Sequence, residues 1–170
     1  MLDKIKSLSK QTLIYGTSTI VGRFLNFLLV PIYTNIFPPS EYGVVTLVFA
    51  YIALLNIFYS IGFESGYFKF ASTLEVGDEK QNFTHPYVTI FLNAVVLSTL
   101  LLILSDPIAG IIALNAKYTS FVRYSALILF FDAIVLVPFA YLRLKNKAKI
   151  FAAIKIINIV VNVILNILLV

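Results

Sequence analysis

The chain has 170 residues, of which 60% are hydrophobic and only 12% are charged, and its net charge is +5 at pH 7. This balance excludes an ordinary soluble domain and indicates an integral membrane protein. The chain contains no cysteine, which excludes a disulfide framework and a cysteine-ligated metal site. Most of the basic residues lie between apolar segments, so we expect membrane lipids as partners and no nucleic acid.

Five apolar segments have about the length needed to cross a bilayer, which is about 20 residues for a helix. They are residues 13–36, 42–63, 87–104, 120–142 and 150–170. The first is too long for the hydrophobic part of a signal peptide, so we expect it to stay in the mature protein. The sequence therefore predicts an all-α membrane protein, with residues 1–170 forming a single transmembrane domain.

Basic residues lie mainly on one side of these predicted spans. That side carries Lys4, Lys6, Lys10, Lys69, Lys80, Arg143, Lys145, Lys147 and Lys149. The connection after the first span has no basic residue. By the positive-inside rule, the N-terminus is cytoplasmic and Val170 lies at the outer side.

The connections between spans also have recognisable patterns. Residues 38–40 predict a tight turn, and residues 64–85 predict a cytoplasmic loop with helical extensions. Residues 106–119 predict a short interfacial helix on the outer face, because this apolar run is too short to span. Pro31 and Pro138 lie inside spans, where they either kink the helix or fit ordinary membrane-helix geometry.

Polar and small residues recur on one face of three predicted helices. At about 100° per residue, each set falls within an arc of about 80°. The sets are Thr12, Gly16, Thr19, Arg23, Asn26 and Thr34 on the first span, Thr46, Ala53, Asn56, Ser60 and Glu64 on the second, and Lys155, Asn158, Asn162 and Asn166 on the fifth. The third span adds Asn93, and the fourth adds Asp132 near mid-depth.

Two interpretations of these polar faces remain open. In the first, the side chains are hydrogen-bonding contacts between helices, and Arg23 pairs with Asp132. In the second, they line a hydrated chamber in which Arg23 binds a phosphate-bearing substrate. The candidate substrate-binding residues are Arg23, Asn26, Thr19, Asn56, Lys155, Asn158 and Asn162. Glu64 and Asp132 are candidates for ion coupling or charge balance, and Lys155 alternatively extends to the cytoplasmic interface.

Motifs of other function classes are absent from the sequence. It contains no phosphate-binding G-x-x-x-x-G-K-[ST] loop and no H-E-x-x-H metalloprotease motif. The single histidine, His85, precedes Pro86 at the edge of the third span, where a role at the start of the helix is favoured over catalysis. We therefore predict no catalytic residue and no metal site.

Four short segments follow one another in an order found in a known family. They are residues 13–16 (LIYG), 37–43 (FPPSEYG), 61–66 (IGFESG) and 141–148 (YLRLKNKA). With the basic amphipathic start and Arg23, this order resembles bacterial polysaccharide biosynthesis proteins, the Wzx-type O-antigen flippases. That family belongs to the multidrug/oligosaccharidyl-lipid/polysaccharide exporter superfamily.

The resemblance implies a transporter rather than an enzyme. Its substrate would be an undecaprenyl-diphosphate-linked oligosaccharide, moved between the leaflets of the bacterial inner membrane for surface polysaccharide export. It also implies other polysaccharide assembly proteins as partners, a coupling ion (H⁺ or Na⁺) and no further cofactor. The implied fold is the N-terminal lobe of a MATE-like flippase, so we expect a chain truncated before the rest of that lobe and all of the second lobe.

Three alternatives remain open from the sequence. The first is an ion-coupled drug or metabolite antiporter of the same superfamily, in which the acidic residues matter more than Arg23. The second is a membrane-embedded glycan-modifying enzyme, although such enzymes are expected to have a large outer loop with catalytic residues. The third is a structural subunit that does not transport.

Overall fold

The computed structural model of the protein describes residues 13, 15–17, 20, 21, 24, 27–73, 77–111 and 118–169, and nearly all of them are helical. No β-strand occurs within this described part of the chain. The predicted all-α class is therefore confirmed.

Seven helices are described. They are α1 Phe27–Ile36, α2 Pro39–Ser60, α3 Phe63–Thr73, α4 Glu79–Ile103, α5 Ser105–Ile111, α6 Thr119–Leu144 and α7 Ala148–Leu169. Four stretches are long and apolar enough to cross a membrane: Pro39–Ser72, Glu79–Ile103, Thr119–Leu144 and Ala148–Leu168. They correspond to the second to fifth predicted spans. The first predicted span is described in part, and its described residues before Phe37 are helical.

The chain divides into two compact units. The first unit comprises the described residues of Met1–Tyr42 together with Leu142–Val170, and the second comprises Gly43–Tyr141. In the first unit, the rings of Tyr15 and Phe151 meet edge to face with centroids 4.9 Å apart. This geometry is favourable for aromatic pairs, so it helps to hold the residues near the start of the chain against α7.

The turn between α1 and α2 forms where the double proline predicts it. The carbonyl oxygen of Pro38 accepts hydrogen bonds of 3.0 Å from the amides of Glu41 and Tyr42. Pro39 is the first residue of α2, a position where its missing N–H group leaves no hydrogen bond unmade.

A backbone break separates α2 from α3, which the sequence pattern does not predict. Ile61 and Gly62 both adopt positive φ values, 41° and 67°, so the α-helix cannot continue through them. The side-chain amide of Asn93 donates to the carbonyl oxygens of Phe58 and Tyr59, both at 3.2 Å, near the end of α2. The polar stripe predicted for the second helix therefore ends at Ser60, and Glu64 lies on α3.

The α4 helix begins eight residues before the predicted span, at Glu79. The helix starts with a capping box. Asp78 Oδ1 accepts a hydrogen bond from the backbone N–H of Gln81 at 2.7 Å, and Gln81 Oε1 accepts one from the backbone N–H of Asp78 at 3.4 Å. Pro86, expected at a span boundary, consequently lies inside the helix. The polar first turns are an extension that precedes the apolar span.

The core of the second unit lies between α2, α4 and α6. Tyr59, Ile90, Leu129 and Val137 are almost fully buried there. Small residues face the same core and allow helix backbones to approach closely. They are Ala94, Ala126, Ala133 and Ala140.

Two further local structures connect the helices. α5 spans Ser105–Ile111 and covers the first part of the short interfacial helix predicted over residues 106–119. After α6, the Lys147 amide donates to the Leu142 carbonyl at 2.8 Å and the Asn146 amide donates to the Arg143 carbonyl at 3.1 Å. With Asn146 at φ 56°, these bonds form a Schellman motif, which ends α6 abruptly.

Candidate functional site

The polar residues of α7 form the clearest candidate site in the first unit. Lys155, Asn158, Asn162 and Asn166 are three or four residues apart, so they share one side of the helix. Lys155 and Asn166 are half-buried, whereas Asn158 and Asn162 are exposed. We refer to these four residues as the α7 amide face.

One end of the α7 amide face is tied to α1. The Tyr33 hydroxyl donates to Asn166 Oδ1. The Asn166 side-chain nitrogen in turn donates to the Asn162 carbonyl oxygen at 2.8 Å and to Asn162 Oδ1 at 3.1 Å. This chain of bonds corresponds to the first interpretation of the polar stripe, in which amides join helices.

The central part of the α7 amide face retains hydrogen-bonding capacity. Asn162 Oδ1 accepts from Asn166, which fixes the orientation of the Asn162 side chain, and its Nδ2 group donates no hydrogen bond to the described residues. Asn158 makes no side-chain hydrogen bond to the described part of the chain. Two exposed amides one turn apart can therefore receive hydroxyl groups of a ligand. This part of the face corresponds to the second interpretation, a polar chamber lining.

Two further polar side chains of α1, those of Thr34 and Asn35, bond within their own helix. Thr34 Oγ1 donates to the Pro31 carbonyl oxygen at 3.1 Å, and Asn35 Nδ2 donates to the same oxygen at 2.7 Å. These bonds stay within one helix, so they satisfy the polar groups without joining α1 to a neighbour.

The remaining predicted site residues are distributed over the chain. Arg23, Thr19 and Asn26 lie outside the described residues. Asn56 is half-buried on α2, Glu64 is half-buried on α3, and Asp132 is exposed on α6, all in the second unit. Within the described part, the structure thus brings together Lys155, Asn158 and Asn162 through their common helix.

Polar residues of the second unit connect helices. Ser98 Oγ on α4 lies 3.0 Å from the Tyr59 hydroxyl of α2 and donates to the Ala126 carbonyl of α6 at 3.1 Å. Sequence reasoning missed Tyr33, Tyr59 and Ser98, since isolated hydroxyls in apolar segments produce no stripe. These residues could have been found from the rule that a tyrosine buried inside a span needs a hydrogen-bond partner for its hydroxyl.

No group of histidine, cysteine, aspartate and glutamate side chains suited to a metal ion occurs among the described residues. The chemistry available at the α7 amide face is hydrogen bonding, with one ammonium group at Lys155. Such groups can bind hydroxyls and anions.

Comparison with known proteins adds one match. Residues 32–170 match a family described as polysaccharide biosynthesis protein. The match includes all of α2 to α7 and most of the chain. No match was found among curated proteins, and none was found among solved structures.

Proposed function

The chain belongs to the polysaccharide biosynthesis protein family, and from this membership we propose that it acts in a transporter of lipid-linked oligosaccharide. The proposed substrate is an oligosaccharide on undecaprenyl diphosphate, moved from the cytoplasmic to the outer leaflet of the bacterial inner membrane for surface polysaccharide or O-antigen export. The observation that supports this proposal is the pair of exposed amides, Asn158 and Asn162, on a membrane-spanning helix.

The physical need for such amides follows from the substrate. Sugar hydroxyls and phosphates lose their hydrogen bonds to water when they enter hydrocarbon. Each hydroxyl left unpaired in an alkane-like medium costs about 4–8 kcal/mol. An asparagine side chain offers both donors and an acceptor, so it can replace water around a hydroxyl. A face of amides along α7 provides successive contacts for a sugar chain.

The diphosphate requires positive charge in addition to amides. Lys155 is on the same side of α7 as the amides, one to two turns from the cytoplasmic end of that helix in the predicted orientation. We propose Arg23 as the second cationic contact, because a guanidinium group can bind two phosphate oxygens at once. Thr19, Asn26 and Asn56 are proposed as further polar contacts.

Transport against a gradient requires an energy source, and Glu64 and Asp132 are the proposed coupling or charge-balancing residues. Carboxyl groups in membrane proteins commonly bind protons or cations that drive such movements. Under this proposal the coupling ion is H⁺ or Na⁺. An ion-coupled antiporter of drugs or metabolites would share these carboxyl groups, but it would not need the amides.

The test is export of surface polysaccharide from cells that carry substituted versions of the complete protein. We expect Asn158→Leu with Asn162→Leu to reduce export at least about tenfold, as loss of two substrate hydrogen bonds implies. Val161→Leu, at an exposed apolar position on the same helix, is the matched control. Normal export by a stably inserted double variant contradicts the proposal.

A further inference from the structure

A cavity lies in the second unit, at the end where α4 begins and α6 ends. It has a volume of about 410 Å³ and is lined by Glu79, Lys80, Phe83 and Tyr141. We refer to these four residues as the aromatic cleft. Its size falls within the range of about 300–1,000 Å³ that is usual for small-ligand sites.

The walls of the aromatic cleft are held in place by several contacts. The Tyr141 hydroxyl donates to Glu79 Oε1 at 3.4 Å, and the Tyr141 and Phe83 rings meet edge to face with centroids 5.4 Å apart. Phe83 also stacks on Tyr87, with ring centroids 5.7 Å apart and an angle of 13°. Glu79 and Lys80 lie in the first turn of α4, directly after the capping residue Asp78. The cleft is therefore ordered by interactions within its own helices.

The composition of the cleft restricts the chemistry of a ligand. Glu79 and Lys80 together have no net charge, so the cleft does not select a phosphate or another anion. The aromatic rings present apolar surface with a negative face, which attracts weakly positive C–H groups. A ligand that combines C–H surface with hydroxyl groups satisfies all four residues, and a sugar ring has this combination.

We propose that the aromatic cleft binds a neutral sugar ring, which packs against Phe83 and Tyr141 while its hydroxyls bond to Glu79 and Lys80. The choice of a glycan as ligand rests on the proposed function. In the predicted orientation the cleft lies on the cytoplasmic side of the membrane. The cleft is then a first contact for the sugar part of a substrate arriving from the inner leaflet.

The absence of tryptophan from the 170 residues permits a direct test. Phe83→Trp places a single tryptophan in the cleft of the purified chain, in a zwitterionic detergent without sugar groups. We expect its emission to change and saturate during titration with neutral hexoses or N-acetylhexosamines. Phe91→Trp, at an exposed position on the same helix, is the control and should give no saturable change.

Two further measurements make the test decisive. Glu79→Gln in the Phe83→Trp background should raise the half-saturating sugar concentration about tenfold, since a bond to a charged acceptor is lost. Saturation-transfer NMR of the same sugars with the unsubstituted chain should detect contact with protein protons. Absence of both signals across the sugar panel, or a stronger response to inorganic phosphate than to sugars, overturns the proposal.

The outcome is separable from that of the transport test. Sugar binding at the cleft with normal export by the α7 double variant supports the cleft and contradicts the transport role of the amides. Loss of export in that variant with no sugar binding at the cleft supports the transport role and contradicts the cleft.

Discussion

The hydroxyl groups of Tyr59 and Ser98 lie 3.0 Å apart between α2 and α4, where both side chains are buried. Ser98 Oγ also donates to the Ala126 carbonyl oxygen at 3.1 Å. Because a serine hydroxyl has one hydrogen, Tyr59 must be the donor in its bond to Ser98. A single serine thus links three helices.

This arrangement predicts unequal effects of removing the two hydroxyls. Ser98→Ala removes both bonds and should lower the free energy of unfolding by about 1–2 kcal/mol, whereas Tyr59→Phe leaves the bond to Ala126 and should cost about 0.6 kcal/mol. Unfolding in bicelles by steric trapping measures both values. Thr99→Ala, at the exposed position next to Ser98, is the control. Equal costs for Ser98→Ala and Tyr59→Phe would show that Ser98 does not bond to both Tyr59 and Ala126.

Replacing Gly62 and Gly66 with alanine should change the stability of the protein in opposite directions. A side chain at Gly62 meets nothing within 4 Å, but the residue has φ 67°, so Gly62→Ala should destabilise the protein by about 1 kcal/mol. Gly66 also has open space and lies inside α3 without a positive φ. Gly66→Ala should therefore stabilise by up to about 1 kcal/mol.

The measurement is the same unfolding experiment, with helical content followed by circular dichroism. If Gly62→Ala proves neutral or stabilising, α2 and α3 form one continuous helix in the membrane. Both substitutions add one methyl group, but only Gly62 has a positive φ. Opposite effects on stability therefore come from the backbone conformation and not from the added methyl group.

Sequence patterns predicted the helices well because length and apolar composition dominate membrane folding. The turn at Pro38 and Pro39 followed from the double proline, and α5 covers only the first part of the short helix predicted over residues 106–119. The early start of α4 could also have been predicted, since Asp78 and Gln81 have the spacing of a capping box. The break at Ile61 could not, because a β-branched residue is rarely found at positive φ.

The candidate site was predictable to a smaller extent. The spacing of Lys155, Asn158 and Asn162 gave their common face, because a helix places such residues together regardless of its neighbours. Which amide contacts another helix depends on tertiary packing, and only the structure identified Asn166 as the partner of Tyr33. The roles of Arg23, Thr19 and Asn26 stay predictions, since these residues lie outside the described part of the chain.

The contacts of Arg123 predict which of its two partners matters for stability. Its Nε group donates to Ser105 Oγ at 3.0 Å, and Ser105 is 1% exposed. Its Nη2 group lies 3.8 Å from Asp106 Oδ2, but both of these side chains are more than half exposed. Asp106→Asn should therefore change the free energy of unfolding by less than about 0.5 kcal/mol.

Arg123→Leu should be more costly, by about 1–2 kcal/mol, because it leaves the buried Ser105 hydroxyl without its donor. The comparison is made by unfolding at low and high salt. A large, salt-sensitive effect of Asp106→Asn would show instead that the exposed ion pair determines the position of α5.

Arg23 gives the last prediction, which concerns charge in the first predicted span. If this guanidinium binds the substrate diphosphate, Arg23→Glu in the complete protein should abolish polysaccharide export while membrane insertion is retained, because a carboxylate repels phosphate. Arg23→Lys keeps the charge but loses two-point binding, so export should fall about ten- to a hundredfold. Lys69→Glu reverses an exposed charge outside the predicted spans and serves as the control. Normal export by both Arg23→Ala and Arg23→Glu contradicts an anion-binding role for Arg23.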